Sequence, residues 1–163
     1  MASVTNLYDE DFVLWSKEQA AALRSAAHDG SNQKLDWDNL AEEIESLGRS
    51  EKRELGSQIR RVIEHLLKLE YSPAQEPRRG WIESTGDARS EIEAVLETSP
   101  SLRSEIAGAI AAELKRGSRK AIAELEKYRE VGPGTIARIR STSYTEDQIL
   151  GDWFPAEPPP GGE

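Results

Sequence analysis

An apolar stripe with helical spacing over residues 37–71 constrains the fold more than any other feature of the sequence. At about 100° per residue, positions three, four and seven apart lie on the same side of an α-helix. Asp36 is a suitable N-cap, and Ser72–Pro73 ends the pattern because the residue before a proline avoids helical geometry. The pattern stays in phase across Gly48 and predicts one long helix, straight or gently broken. Its apolar positions are Trp37, Leu40, Ala41, Ile44, Leu47, Leu55, Ile59, Val62 and Leu66.

Shorter apolar patterns on both sides of this segment predict four further helices. Ser99 and Pro100 have the residue types of an N-cap and a first helical position, and Thr145 with Gln148 forms a capping box. Gly117 predicts a kink in one of these helices. The predicted ranges are about 9–27, 81–97, 99–128 and 145–153. The apolar face of the first of them comprises Tyr8, Phe12, Trp15, Ala22 and Leu23, and the apolar positions of the second are Ile82, Ala88, Ile92, Val95 and Leu96.

The sequence predicts an all-α fold. β-Branched residues are scattered, and no stretch alternates apolar with polar residues for long. A chain of 163 residues can bury about 70% of the surface that its unfolded form exposes. We expect a single-domain helical bundle of five or six helices over residues 1–154, with the helix over 37–71 as its long central element. The proline- and glycine-rich residues 155–163 are expected to form a disordered tail.

Charge and composition restrict the partners and the compartment. The chain has 21 basic and 30 acidic residues and a net charge of −9, so its field disfavours nucleic acids and anionic lipid surfaces. It has no cysteine, which fits a reducing cytoplasm. The N-terminal sequence is acidic where a secretory signal is basic, and the longest apolar stretch, IAGAIAA at 106–112, is far below the roughly 18 residues of a membrane span. We therefore expect a soluble cytoplasmic protein without a membrane partner.

Three polar residues interrupt or border the apolar stripe of the long helix. Glu51 lies on the stripe, and Gln58 and His65 follow along its edge at intervals of seven residues. In a structural interpretation, the helix bends at Gly48 so that Glu51 faces water and the other two border the core; in a functional one, Glu51 and Gln58 are buried polar groups. Successive members of the series are about 10 Å apart along the helix, too far to share a metal. We expect no metal and no cofactor.

Arg61, His65 and Lys68 are spaced i, i+4 and i+7, which places three nitrogen donors on one side of the helix. The two cations should lower the pKa of His65, so that a mostly neutral imidazole can donate one N–H to an anion at pH 7. Glu64 offers Lys68 an ion pair instead. Our hypothesis is an anion-binding site at Arg61, His65 and Lys68; the alternative is an ion-paired surface.

Two basic segments lie outside the long helix, KRGSRK at 115–120 and IARIR at 136–140. Both could contact phosphate, but neither is interleaved with the aromatic residues on which single-stranded nucleic acids stack. Acidic residues lie nearby, and Glu124 follows Lys120 by one helical turn. We interpret both segments as ion-paired surface.

Six segments occur in a distinctive order: YDEDFVLW, LDWDNLAEEIESLGRSE, HLLKLEY, RRGWI, SPSLR and YTEDQIL. Together they resemble the bacterial domain of unknown function family number twenty-nine, over about residues 7–155. The resemblance implies an α-helical bacterial protein and brings no established reaction, cofactor or catalytic residue. Gly86 departs from the family pattern, in which this position lies within a continuous helix.

Catalytic motifs are absent from the sequence: it has no Ser-His-Asp arrangement, glycine-rich phosphate loop or nucleophile elbow. We therefore assign no catalytic residue and favour a non-enzymatic function. The first hypothesis is a protein-interaction module that binds another protein or a second copy of itself. The alternative is an enzyme or sensor that binds a small anionic ligand through the cations around His65.

Overall fold

The computed structural model describes residues 4–30 and 34–158, and these ranges contain helices and no β-strand. The predicted all-α fold with a long helix is therefore confirmed. The described residues form seven α-helices and one 3-10 helix, more than the five or six helices expected. They are α1 Val4–Glu10, α2 Phe12–His28, α3 Trp37–Tyr71, α4 Arg78–Thr98, the 3-10 helix Pro100–Glu105, α5 Ile106–Lys127, α6 Pro133–Ser141 and α7 Glu146–Leu150.

The chain divides into two compact units, each built from two segments. Unit 1 consists of Met1–Glu54 and Ala94–Glu105, and unit 2 of Leu55–Glu93 and Ile106–Glu163. Helix α3 is divided between the two units after Glu54, and α4 is divided after Glu93. The predicted organisation into a domain of residues 1–154 and a tail stays a prediction, and residues 159–163 of that tail lie outside the described residues.

The boundaries of α3, Trp37 and Tyr71, are the predicted ones. The helix is unbroken at Gly48, where a Cβ atom would overlap the hydroxyl group of Ser16 on α2. Glycine at this position therefore allows α2 and α3 to approach closely within unit 1.

The first predicted helix is in fact two helices, α1 and α2, separated at Asp11. The Asp11 carboxylate caps α2 by accepting the N–H of Leu14 at 2.8 Å. It also accepts hydrogen bonds from the N–H and the hydroxyl of Ser101, at 2.6 and 2.9 Å. The hydroxyl of Ser99 in turn accepts the N–H of Val13 at 3.3 Å. The starts of α2 and of the 3-10 helix thus satisfy backbone donors of each other.

Several residues of the predicted apolar faces are exposed in the structure. The predicted aromatic face of the first helix is a ring cluster of Tyr8, Phe12 and Trp15 in which Tyr8 is 52% exposed. The buried residues of α2 are Val13, Ser16 and Ala20. Leu40 and Leu47 of α3 are 41% and 47% exposed, because the buried side of this part of α3 contains the next residues, Ala41 and Gly48, about 100° further around the helix. Ile82 of α4 is also 44% exposed.

The core of unit 2 surrounds the C-terminal half of α3. The predicted stripe is confirmed here, since its members are at most 1% exposed: Leu55, Ile59, Val62 and Leu66. Ile63, Leu67 and Leu69 are equally buried, so neighbours cover this part of α3 on several sides. A Cβ at Gly117 of α5 would lie 2.9 Å from Cγ2 of Ile63. Gly117 therefore permits close packing of α3 and α5, and α5 continues through it as one helix.

Two arginines of α4 hold the C-terminal ends of other helices in unit 2. Arg78, with which α4 begins three residues before the predicted start, donates to the carbonyls of Leu69 and Ser72 at 2.9 and 3.4 Å. Arg89 donates to carbonyl groups at the end of α7 and just beyond it, at 2.7–2.9 Å. These carbonyls belong to Gln148, Ile149 and Trp153. Both contacts satisfy acceptors that a helix end leaves open.

The last two helices follow local signals. The capping box of Thr145 and Gln148 is confirmed at the start of α7. Helix α6 was missing from the prediction, although Pro133 at its first turn is a typical helix start. Ile139 anchors α6 in the core.

Candidate functional site

Four charged residues form a cluster where α3 and α5 meet in unit 2. Lys68 is 2% exposed, and its Nζ donates to Oε1 of Glu64 at 3.1 Å and forms an ion pair with Glu124. The other carboxylate oxygen of Glu64 lies 3.0 Å from Nζ of Lys120. Glu64 and Lys68 are one turn apart on α3, and Lys120 and Glu124 are one turn apart on α5. The pair on α3 therefore faces the pair on α5. The expected surface pair of Lys120 with Glu124 is thus replaced by ion pairs between the helices.

Glu64 is 4% exposed, yet it remains ionised at neutral pH. Burial raises its pKa, but hydrogen bonds from Lys120 and Lys68 outweigh burial, so that the pKa lies below its ordinary value. Two cations and two carboxylates leave the cluster without net charge. Removing one partner would leave an uncompensated charge in the interior.

His65 is neutral at pH 7. Its pKa falls from 6.5 to about 4, first because the ring is buried and then because Lys68 and Arg61 are positively charged. The sequence predicted this decrease in pKa from the two cations, whereas burial of the ring is the larger cause. Its Nδ1 atom is buried and has no hydrogen-bond partner among the described residues.

The three predicted anion ligands occupy different environments. Arg61 is exposed and donates to the hydroxyl of Ser84 at 2.9 Å. His65 is largely buried, and Lys68 is held by two carboxylates. An anion site at these residues stays a prediction. The two residues expected as buried polar groups, Glu51 and Gln58, are each half-buried, the first in unit 1 and the second in unit 2.

A cleft of about 550 Å³ opens beside Lys68, and we call it the acidic cleft. One wall is the connector between α3 and α4, and the other is the end of α5. Of the predicted anion ligands, it contains Lys68 and neither Arg61 nor His65. The lining residues are Lys68, Ala74, Gln75, Glu76, Pro77, Trp81, Glu124, Leu125, Tyr128 and Glu130.

The turn after α5 places Glu130 in the acidic cleft. Arg129 has a positive φ of 55°, and the N–H of Glu130 bonds to the carbonyl of Leu125 at 3.0 Å. This is the Schellman arrangement of a helix end, with arginine where glycine is usual. The Glu130 carboxylate then accepts the hydroxyl of Ser72 at 2.5 Å. The turn therefore ties the end of α5 to the connector that forms the opposite wall.

Two aromatic side chains complete the lining. The ring of Trp81 lies 5.8 Å from Nζ of Lys68, and Tyr128 is 63% exposed. These rings and Glu130 were not predicted as site residues, because Trp81 belongs to α4 and the other two to the turn after α5. The sequence signals that point to this region are the i, i+4 spacings of Glu64 with Lys68 and of Lys120 with Glu124.

The described residues include neither a metal-binding cluster nor a membrane-spanning helix. Within the described ranges, no three His, Asp or Glu side chains are grouped so as to hold a metal ion. None of the helices described there combines the length and apolarity needed to cross a membrane.

Comparisons with known proteins identify relatives of the fold. A family model described as "Domain of unknown function DUF29" matches residues 7–154. The crystal structure of an α-helical protein of unknown function from Rhodospirillum rubrum superposes with a TM-score of 0.68 and 23% identity, covering 91% of this chain and 98% of that one. No curated protein matches the chain. At this identity the structural likeness concerns the fold alone.

Proposed function

The chain belongs to the family of domain of unknown function DUF29, and we propose that it works as a non-enzymatic protein-interaction module in the cytoplasm. The acidic cleft binds a lysine or arginine side chain of a partner protein. The observation that carries this proposal is the combination of carboxylates and aromatic rings around one cleft of about 550 Å³.

The charge of the lining favours a cation. Besides Lys68, the lining contains three acidic residues, Glu76, Glu124 and Glu130. Glu64 and Glu124 already neutralise Lys68 together with Lys120. Glu76 and Glu130 therefore leave the cleft negatively charged, and the net charge of −9 attracts a basic partner from a distance.

The rings favour a cation as well, because the face of an aromatic ring attracts positive charge. Lys127 already lies over the ring of Tyr128, 5.5 Å from its centroid. A partner side chain can use the exposed ring in the same way. Exposed tyrosines also contribute strongly to protein interfaces.

Binding is favoured over catalysis because Lys68, Glu124 and Glu130 of the cleft are each held by another side chain. The Nζ atom of Lys68 is occupied by its ion pairs with Glu64 and Glu124 and is not free to attack a substrate. Glu130 is hydrogen-bonded to Ser72. His65, whose neutral ring could act as a base, does not line the cleft.

Selection from a random peptide display library tests the proposal without assuming a partner. We expect the selected peptides to be rich in lysine and arginine and to bind the Glu76→Gln/Glu130→Gln variant at least tenfold more weakly. Glu93→Gln, an exposed acid of α4 outside the cleft, is the matched control and should bind like wild type. Selected peptides without basic residues, or equal binding to the double variant, would contradict the proposal.

One observation favours the alternative, a small anionic ligand at Arg61, His65 and Lys68. The buried Nδ1 of His65 lacks a hydrogen-bond partner among the described residues, and such groups usually have one. Calorimetric titration of phosphate into wild type and Arg61→Ala tests this site. Arg53→Ala is the matched control, since Arg53 also donates to a serine of a helix, Ser50, at 2.9 Å. Equal heats in all three proteins would exclude the alternative.

A further inference from the structure

A second cavity in unit 2, of about 540 Å³, lies between α5 and α6, and we call it the basic cavity. Lys115 and Arg119 of α5 and Arg140 of α6 line it. These cations come from the two basic segments of the sequence, which are distant along the chain. Packing of α6 against α5 brings them to one cavity.

The basic segments are ion-paired only in part. Arg116 and Lys120 pair with Glu113 and Glu64. The side chains of Lys115, Arg119 and Arg140, in contrast, have no hydrogen bond or ion pair with any described residue. Arg138, the remaining cation of these segments, lies over the ring of Tyr71. The three cations of the cavity thus lack a partner, and the interpretation of both segments as ion-paired surface fails for them.

Their charge is unbalanced within the cavity. Glu126 is the acidic residue of the lining, against three cations. Like charges that share a cavity repel one another, and an anion bound between them removes this repulsion. Arginine also offers paired N–H groups that match the oxygens of a phosphate or carboxylate.

The rest of the lining is mostly apolar. Leu114 and Ile122 contribute to it, together with alanines of α5, and Ser118 adds a hydroxyl group. The volume is in the range of small-molecule sites, which are mainly apolar with a few placed polar groups. A bare inorganic ion would leave the apolar wall uncovered.

We propose that the basic cavity binds an organic anion, a phosphate or carboxylate group carried on an apolar moiety. The charged group lies among Lys115, Arg119 and Arg140, and the apolar moiety contacts Leu114 and Ile122. This site is separate from the acidic cleft and from the cluster around His65. It does not rest on the proposed protein interaction.

Fluorescence titration of the full chain with three probes tests the site. 1-Naphthyl phosphate has both required parts, inorganic phosphate has only the anion, and 1-naphthol has only the apolar group. We expect saturable binding of 1-naphthyl phosphate, at least tenfold tighter than that of either other probe and weakened by added salt. Phosphate binding is followed by its competition with 1-naphthyl phosphate.

Three variants locate the binding. In Arg119→Gln/Arg140→Gln the affinity for 1-naphthyl phosphate should fall at least tenfold, because both charged hydrogen-bond donors are lost. Arg103→Gln removes another exposed arginine, which lies outside the cavity, and should leave the affinity unchanged. Ile122→Asn should weaken 1-naphthyl phosphate but not inorganic phosphate. Melting curves confirm that each variant is folded.

Several results would overturn the inference. They are no saturable binding of 1-naphthyl phosphate up to millimolar concentration, equal affinity in wild type and the folded double arginine variant, or equally tight binding of 1-naphthol. None of them bears on the peptide selection at the acidic cleft, because the two experiments share no substituted residue.

Discussion

Replacing Lys68 by methionine removes the ammonium group that contacts both Glu64 and Glu124. We expect the free energy of unfolding at pH 7 to fall by about 2–4 kcal/mol. The reason is that Glu64 has 6% of its side chain exposed and would keep its charge in a site with little water. Methionine retains most of the length and volume of lysine, so that packing beside Trp81 is largely preserved.

The magnitude follows from what remains around Glu64. Breaking a buried ion pair by removing one partner costs about 3–5 kcal/mol. Lys120 still contacts Glu64, but its side chain is 65% exposed, and exposed pairs contribute only about 0–1 kcal/mol. The side chain of Glu124 is 41% exposed and can turn towards water. The expected loss of about 2–4 kcal/mol therefore lies somewhat below the range for a fully buried pair.

Equilibrium urea unfolding measures the effect. Adding Glu64→Gln to Lys68→Met should recover at least half of the loss, because the buried charge is then removed. Lys52→Met is the control, since Lys52 pairs with Glu105 while 62% of its side chain is exposed, and it should change stability by less than about 1 kcal/mol. The reasoning is refuted if Lys68→Met costs no more than Lys52→Met, or if Glu64→Gln restores nothing.

Three further predictions concern stability. The fold lowers the pKa of His65 from 6.5 to about 4. The free energy of unfolding that the neutral ring contributes is therefore fully present above pH 6.5 and is lost as the pH falls towards 4. The expected loss is about 1–3 kcal/mol after allowing for partial exposure. Urea unfolding from pH 7 to 4 should show this loss in wild type and not in His65→Gln, and parallel curves would contradict it. Gly117→Ala should destabilise by about 1–3 kcal/mol, because the new Cβ meets a side chain of α3 at 2.9 Å. Gly108→Ala, in open space on the same helix, should stabilise by up to about 1 kcal/mol; calorimetric melting that shifts both the same way would show the packing argument to be wrong. Leu66→Ala should cost about 2–5 kcal/mol, whereas Leu47→Ala, at a side chain 47% exposed, should cost less than about 1 kcal/mol in urea unfolding; similar losses would disprove the assignment of the buried side of α3.

Part of the candidate site was predictable from spacing. The i, i+4 relation of Glu64 to Lys68 predicts an ion pair on one helix, and the pair is present. The same rule predicts that Lys120 pairs with Glu124, which is wrong. Lys120 pairs with Glu64 and Glu124 with Lys68, both on α3, and spacing along α5 carries no information about these partners. The acidic cleft and the basic cavity were not predictable, since each needs side chains from separate helices at one place.

The sequence alone determined the all-α fold, the boundaries of α3 and the capping box of α7. These features depend on residues within one or two helical turns, such as the apolar repeat, Ser72–Pro73 and Thr145 with Gln148. Tertiary structure decided which side of each helix is buried and which charges pair. Asp11 separates α1 from α2 while it holds Ser101, 90 residues away. Such contacts depend on distances across packed helices, and the spacing of residues along the chain carries no information about those distances.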